Sequence, residues 1–132
     1  MSRAAGGLIG SFGRVAVLNV DRPVHRHVHP HAHVLFKIGG LDSHFRVGDR
    51  LFELTDGNAV FVNAWEPHDF PHARGLPPAL VLALYIKPEW LDDVDGKLEA
   101  TKLPRLFLHA ATGLAPLTTT LLHDLADAAM GH

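Results

Sequence analysis

Histidine is the most unusual feature of this sequence of 132 residues. It occurs 11 times, and five of these residues alternate with other residue types from His25 to His33. Neutral imidazole is the commonest side-chain ligand for metal ions in proteins. Because the sequence contains no cysteine, a metal site can use only histidine or carboxylate ligands. We therefore predict that the chemistry of this chain is metal binding, centred on the histidine-rich segment.

Strand geometry decides which of these histidines can meet. On a β-strand, residues two apart point to the same side, and Pro30 must bend the run because proline cannot donate to a central ladder. An ion inside a barrel needs two ligands two apart on one strand, a third beyond a bend and a fourth from a neighbouring strand. His27 and His29 form the pair, His33 follows the bend, and His68 arrives later in the chain. We predict that these four residues are the metal ligands.

Four neutral imidazoles would leave the full charge of a divalent ion uncompensated. Such a set favours zinc, with nickel, copper or iron(II) as alternatives, over calcium and magnesium, and it attracts an anionic ligand. The competing interpretation is a solvated, histidine-rich surface stretch that holds no resident metal.

Short strands separated by turn residues must carry these histidines. Alternating or β-branched runs are bounded by Gly, Pro, Asn or Asp at near-regular spacing, without a helical pattern between them. This pattern favours an all-β antiparallel sandwich or barrel. The predicted strands lie at residues 14–20, 25–38 in two segments, 44–47, 51–54, 59–63, 70–72 and 80–86.

The chain is predicted to form one core with two peripheral segments. Residues 1–12 are Gly-rich and expected to be flexible, residues 13–110 form the barrel, and residues 111–132 form a helical segment. Pro116 suits a first helical turn and Gly131 suits a stop. The helix is expected to pack on the barrel, with a subunit contact as the alternative, through one apolar stripe: Leu114, Leu117, Leu121, Leu122, Leu125 and Ala129.

Charge and hydropathy argue against nucleic-acid and membrane partners. The formal net charge is −2, with basic and acidic residues mixed along the chain, so we expect no DNA binding by this chain alone. The longest apolar run, residues 79–86, is far shorter than the roughly 20 residues of a membrane-spanning helix. The absence of cysteine fits a reducing compartment, so we expect a cytoplasmic location.

The histidine spacing resembles the first sequence motif of the cupin superfamily. That motif reads His-x-His, three residues, a ligand, six residues and then Gly. Two registers fit the histidines, and the one we prefer places Gly40 at the glycine, whereas the other places Ile38 there. The preferred register uses His27, His29 and His33, and the competing one uses His25, His27 and His31.

A second stretch resembles the second cupin motif. It comprises Gly57, Asn63 and then residues 64–68, which end on His68 as the last ligand. Two departures are present: His33 replaces the usual glutamate ligand, and Trp65 stands where a glycine is common. The resemblance implies a double-stranded β-helix, the jelly-roll barrel of cupins, followed here by a C-terminal α-helix.

Most of the chain resembles the N-terminal effector-sensing domain of AraC-type transcription regulators. The resemblance rests on residues 27–30, 32–36, 63–68 and 86–91 together with Gly40. It implies a homodimeric barrel that binds a small effector, anionic or neutral, while a separate part absent from this sequence binds DNA. The alternative is a stand-alone metallocupin enzyme of the dioxygenase, isomerase or hydrolase type, with general bases drawn from Glu66, Asp69 and His72.

Apolar residues dominate the positions predicted to face the barrel interior, which favours ligand binding over acid–base catalysis. We assign no catalytic residue. The predicted ligand pocket comprises Phe36, Trp65, His72 and Tyr85, with Trp90 as a further candidate at its mouth. The predicted inward positions are Val34, Phe36, Ile38, Phe61, Val81, Ala83 and Tyr85.

Overall fold

A computed structural model of the chain describes residues 3–97, 99, 106–107 and 109–131. This part of the chain contains ten strands and two helices. The strands are β1 Arg3–Gly10, β2 Gly13–Val20, β3 Val24–His27, β4 Ala32–Gly40, β5 Ser43–Val47, β6 Arg50–Leu54, β7 Asn58–Val62, β8 His68–Phe70, β9 Ala79–Ile86 and β10 Ala111–Gly113. The helices are α1 Pro88–Val94 and α2 Pro116–Ala129. No helix among the described residues is long and apolar enough to cross a membrane.

The strands form two antiparallel sheets. One has six strands in the order β1-β2-β9-β4-β7-β10, and the other has four in the order β3-β8-β5-β6. Between them lies an apolar core that includes Val20, Leu35, Phe45, Leu54 and Val60. The non-sequential strand order is that of a double-stranded β-helix, so the predicted all-β cupin fold with a C-terminal helix is confirmed.

The central strands of the six-stranded sheet, β4 and β9 among them, are buried on both faces. The outer face of this sheet carries Val15, Val17 and Leu82, which pack beneath Ala126 and Ala129 of α2. Strands covered on both sides show continuous apolar runs without alternation, and β4 and β9 have this character. The predicted helix therefore packs on the barrel.

Four of the predicted inward positions are wrong, because the structure places Val34, Phe36, Ile38 and Phe61 in the outer cluster beneath α2. The inner face of β4 carries His33 and Leu35 instead. Side chains alternate along a strand, so placing His33 inside fixes its even-numbered neighbours outside. Val81, Ala83 and Tyr85 do face the interior.

Residues 3–10 form β1, although the sequence predicted a flexible segment. This strand pairs with β2 along its length, for example Leu8 with Val15. Gly6 allows the close approach of α2, since a Cβ there would collide with the carbonyl oxygen of Ala129. Helix packing therefore explains the glycine at position 6. At the other boundary, Ala111 pairs with Val60, so the sheet extends into the segment predicted to be helical.

A buried cation lies towards the end of β4. The Lys37 side chain lies four residues beyond His33 on the inner face of β4, and its Nζ contacts Asp42 Oδ1 at 2.7 Å and Asp56 Oδ1 at 3.0 Å. Burial by itself lowers the pKa of Lys37, but the hydrogen bonds to both carboxylates outweigh it, so the pKa is raised. Lys37 is thus a permanent cation paired with the two turns at this end.

Gly13→Ala is expected to destabilise the fold by about 2 kcal/mol or more. Gly13 has a φ of +139°, and an added Cβ would collide with the carbonyl oxygen of Tyr85 on β9. Urea unfolding would measure the change. Gly57→Ala is the matched control, because its nearest neighbour would be Thr55 Oγ1 at 3.9 Å. Equal stability of the two variants would contradict the close approach of β2 and β9.

Candidate metal centre

Three histidines converge at the open end of the barrel. His27 ends β3 and lies opposite His68, the first residue of β8, as its register partner. His29 follows in the loop after β3. The potential ligand nitrogens of these three residues all lie within 4.8 Å of one another. Their ring centroids are 4.2 Å apart for His27 and His68, 4.7 Å for His27 and His29, and 4.9 Å for His29 and His68.

His33 lies beside this group. It is buried on β4, and its ring centroid is 4.8 Å from that of His68 and 5.5 Å from that of His29. Its ligand nitrogen does not belong to the group whose members are all within 4.8 Å. The structure therefore brings all four predicted ligands together, three of them tightly and His33 at slightly longer range.

Hydrogen bonds orient three of the rings in the same way. In each, Nδ1 contacts the carbonyl oxygen two residues earlier, at 2.5 Å for His27, 3.4 Å for His33 and 2.8 Å for His68. A carbonyl oxygen can only accept, so Nδ1 carries the proton and Nε2 keeps its lone pair. Backbone partners of this kind fix the tautomer and orientation of metal-binding histidines.

His68 Nε2 provides the test of fit. This atom is buried and has no hydrogen-bond partner among the described residues. Leaving a buried polar atom unpaired costs about 1–3 kcal/mol, and a transition metal would satisfy the free lone pair. The donor set therefore fits such an ion.

Burial keeps these imidazoles neutral. It lowers the pKa of His33 to about 3 and that of His68 to about 4, and the neighbouring histidines act in the same direction. The pKa of His29 is lowered as well, first by burial and then by His27. Imidazole must be neutral to bind a metal, so the pocket holds its histidines in the competent form at neutral pH.

An apolar wall surrounds the histidines and encloses a small inner cavity of about 60 Å³. A space of this size holds an ion and a few light atoms but no larger molecule. Tyr85 completes the wall and stacks on His33, with ring centroids 4.9 Å apart. The other apolar lining residues are Leu18, Val24, Leu35, Phe45 and Phe70.

Of the four predicted pocket residues, Tyr85 alone lines this cavity. Phe36 faces α2 on the outside of the sheet. His72 is buried elsewhere, with Nδ1 3.4 Å from the Ser43 hydroxyl. Trp65 is 65% exposed and lies outside the lining. The further candidate Trp90 packs edge-on against Phe12, with centroids 6.4 Å apart.

Trp65 contributes through its backbone. Its φ of +63° lies in the left-handed region that favours glycine, which explains why the wide indole ring projects into solvent at a tight turn. The Trp65 N–H donates to the carbonyl oxygen of His29 at 2.6 Å. This bond ties the turn before β8 to the loop that carries His29.

The candidate general bases lie away from the cavity. Glu66 Oε1 accepts from the backbone N–H of Asn63 at 3.2 Å. Asp69 is buried between two guanidinium groups, those of Arg26 at 3.6 Å and Arg46 at 3.8 Å. Neither carboxylate lines the cavity, so among the described residues the site contains metal ligands without an acid–base partner.

Arg14 was missed by sequence reasoning. It pairs with Tyr85 across β2 and β9, and Tyr85 in turn pairs with His33, so the three residues form one inward row. The Arg14 guanidinium lies 4.5 Å above the centre of the Tyr85 ring. The sequence did carry a signal for this residue. Arg14 is the one charged residue in the alternating strand run Arg14–Val20.

The choice of histidine register predicts a difference between two single variants. His33→Ala should weaken metal binding by at least about 10-fold, whereas His31→Ala should leave it unchanged, because His31 is exposed and its side chain does not line the inner cavity. Competition titration with a zinc-binding dye would measure both dissociation constants. Loss of metal in His31→Ala with full metal retention in His33→Ala would show that the predicted ligand register is wrong by two residues.

Comparison with known proteins gives one family and a set of distant folds. A search of curated protein sequences gave no significant match. Among solved structures, the DMSP lyase DddQ from Ruegeria pomeroyi DSS-3 is 21% identical over 56% of this chain and 36% of its own, with a TM-score of 0.46. A cupin 2 conserved barrel domain protein from Rhodopseudomonas palustris is 20% identical over 55% of this chain and 50% of its own, with a TM-score of 0.46.

A cupin protein from Bacteroides fragilis is 15% identical over 62% of this chain and 66% of its own, with a TM-score of 0.48. The chain thus spans between about a third and two thirds of these structures. The sequence profile of the AraC-like ligand binding domain matches residues 18–129, which include nine of the ten strands wholly or in part and all of α2. This chain therefore belongs to the family of AraC-like ligand-binding domains.

Proposed function

We propose that this chain is the effector-sensing domain of an AraC-type transcription regulator, and that its barrel binds a small molecule at a divalent transition metal. The observation that carries the metal part is the convergence of His27, His29 and His68 around a buried, unpartnered Nε2 of His68. His33 supplies the fourth nitrogen. Membership of the AraC-like ligand-binding family supports the sensing role.

Zinc suits four nitrogen donors, and nickel, copper and iron(II) accept the same set. When bound, such an ion supplies a Lewis-acidic centre that attracts an anionic or neutral donor atom. The chain itself orients the ligand rings and limits the access of water. Carbonyl oxygens of residues 25, 31 and 66 hold the rings in place, and the apolar wall restricts water.

Binding is favoured over catalysis because the described inner lining contains no carboxylate and its four histidines are the proposed metal ligands. A stand-alone metallocupin enzyme would need a general base at the site. Glu66 is engaged in its own turn, Asp69 in ion pairs, and His72 beside Ser43. The described lining is apolar apart from the histidines and Tyr85.

The test is metal and ligand analysis of protein purified without an immobilised-metal column. Elemental analysis should find roughly one transition metal per chain, and native mass spectrometry should detect any small molecule that co-purifies. His27→Ala/His68→Ala, purified in parallel, serves as the matched control and should lack the metal. Metal-free wild-type protein that also fails to take up zinc on titration would refute the proposal.

DNA binding is expected to require a part of a regulator outside these 132 residues. This chain has a net charge of −2 and should not retain duplex DNA specifically at physiological salt. Electrophoretic mobility shift with a pool of random duplexes would measure this. Enrichment of one sequence from the pool would contradict the expectation.

We also expect a homodimer. Leu117 and Leu121 lie one turn apart on α2 and are 71% and 58% exposed, so the helix carries apolar side chains that the barrel leaves uncovered. Sedimentation velocity would determine the association state.

A further inference from the structure

A second cavity of about 360 Å³ opens beside the metal centre. Its lining includes the cations Arg14 and Lys87 and the apolar side chains of Ile9 and Ile86, together with His31. Tyr85 belongs to the linings of both cavities. The two cavities therefore adjoin at Tyr85, and the volume of the outer one suits a small organic ligand.

Two of the polar side chains of the outer cavity are cations, and the others are His31 and Tyr85. Arg14 and Lys87 lie in a lining without any carboxylate, and neither forms an ion pair with the described residues. Other basic residues on the inward and rim positions are paired, such as Lys37 with Asp42 and Arg46 with Asp69. Two cations without an anionic partner in one cavity create a positive potential that favours an anion.

Arg14 is held in position before any ligand arrives. Its guanidinium stacks 4.5 Å above the Tyr85 ring, and Tyr85 stacks on His33 at 4.9 Å. Stacking leaves the N–H groups at the edge of the guanidinium plane free to donate. Preorganisation reduces the entropy lost on binding, and the planar fork of arginine matches the two oxygens of a carboxylate.

We propose that the outer cavity binds the carboxylate group of a small organic acid, with Arg14 as the forked donor and Lys87 as the second cation. Ile9 and Ile86 contact the apolar part of the acid. This inference rests on the proposed sensing function and names its effector class. The inner cavity admits only a few atoms, so most of an effector that reached the metal would lie outside it, and the outer cavity adjoins it at Tyr85.

The experiment compares carboxylates with their neutral amides. Acetate, succinate, benzoate and salicylate, each beside the corresponding amide, are titrated into zinc-loaded protein at fixed ionic strength, and binding is followed by calorimetry. At least one carboxylate should bind while its amide does not. Arg14→Gln should weaken that binding by at least about 10-fold and Lys87→Gln by a smaller factor.

Arg50→Gln is the matched control. Arg50 is also exposed and stacks on an aromatic ring, 5.0 Å from the centre of Phe52, but on β6 and outside both cavities. It should bind the same carboxylate as wild type. The melting temperature and zinc content of Arg14→Gln should match wild type, which separates loss of the subsite from loss of the fold or the metal.

Two results would overturn the inference. One is the absence of binding by every carboxylate in the set. The other is a carboxylate whose affinity is the same in Arg14→Gln as in wild type, because the anion would then bind at the metal alone. Repeating the titration with zinc-free protein distinguishes failure of the carboxylate subsite from failure of the proposed metal site. Arg14-dependent binding that persists without zinc supports the carboxylate subsite even if the metal has no role.

Discussion

Removing the metal is expected to lower the melting temperature of the wild-type chain by on the order of 10 °C, and to leave that of His68→Ala unchanged. A ligand that binds only the folded state stabilises it by about 3 kcal/mol at a hundredfold excess over its dissociation constant. His27 and His68 lie on paired strands, while His33 lies on the opposite sheet, so the ion would cross-link both sheets. Differential scanning fluorimetry with and without EDTA at pH 7.5 measures the shift.

His25→Ala is the control for this experiment. His25 belongs to the same histidine run but is exposed, and it serves His27 only through its backbone carbonyl, which the substitution keeps. This variant should respond to EDTA as wild type does. If EDTA leaves wild-type protein of measured metal content unchanged, the histidine cluster does not couple the metal to the fold.

Acid is expected to destabilise the metal-free protein steeply. His33 and His68 have folded-state pKa values of about 3 and about 4, below the ordinary value of 6.5. Above pH 6.5 both histidines are neutral in the folded and in the unfolded chain, so they contribute no pH dependence to the stability. As the pH falls from 6.5 towards 4, these histidines bind protons in the unfolded chain but stay neutral in the folded chain, so the free energy of unfolding decreases. The loss is up to about 1.4 kcal/mol per pH unit for each histidine, or roughly 4 kcal/mol for both between pH 6.5 and pH 5.

Urea unfolding in EDTA at pH 7.5, 6.0 and 5.0 measures this loss. His33→Phe keeps a ring against Tyr85 but removes one titrating group, so its stability should fall about half as steeply with pH. His44→Gln replaces an exposed histidine of β5 and should behave as wild type. Wild-type stability that is constant from pH 7.5 to pH 5.0 would show that burial of the histidines carries no cost.

The sequence predicted the fold and the histidine cluster for reasons that the structure makes clear. Turn residues at short intervals define strands without reference to distant contacts. The bend at Pro30 separates His29 from His33, so the chain leaves the loop after β3 and enters β4 on the opposite sheet with both rings facing inward. The histidine spacing, together with the cupin-motif glycine at Gly40, therefore predicted this arrangement.

The main error concerned which side chains of a strand point into the barrel. That direction depends on what packs against each face of the sheet. On β4 both faces are buried, so the run from Val34 to Ile38 gives no alternation to interpret. The predicted inward position of His33 is incompatible with inward Val34, Phe36 and Ile38, since one inward residue fixes the side of all the others on its strand. Alternation from it would have placed Phe36 outside and Leu35 inside.

Two features depend on tertiary contacts that no local pattern encodes. The strand β1 has a glycine-rich sequence of low strand propensity, and its pairing with β2 and packing under α2 decide its structure. Trp65 adopts a backbone conformation typical of glycine, which moves its ring from the predicted pocket into solvent. Intrinsic preference predicts neither outcome.

The Lys37 cluster makes the two ends of the inner face of β4 chemically different. At one end, Asp42 and Asp56 neutralise the positive charge of Lys37, which leaves no unpaired cation there for an incoming anion. Near the other end, Arg14 and Lys87 have no anionic partner among the described residues. We therefore expect the barrel to be electrically polarised along β4, so that an anionic effector is drawn to the rim where β2 begins and β9 gives way to α1.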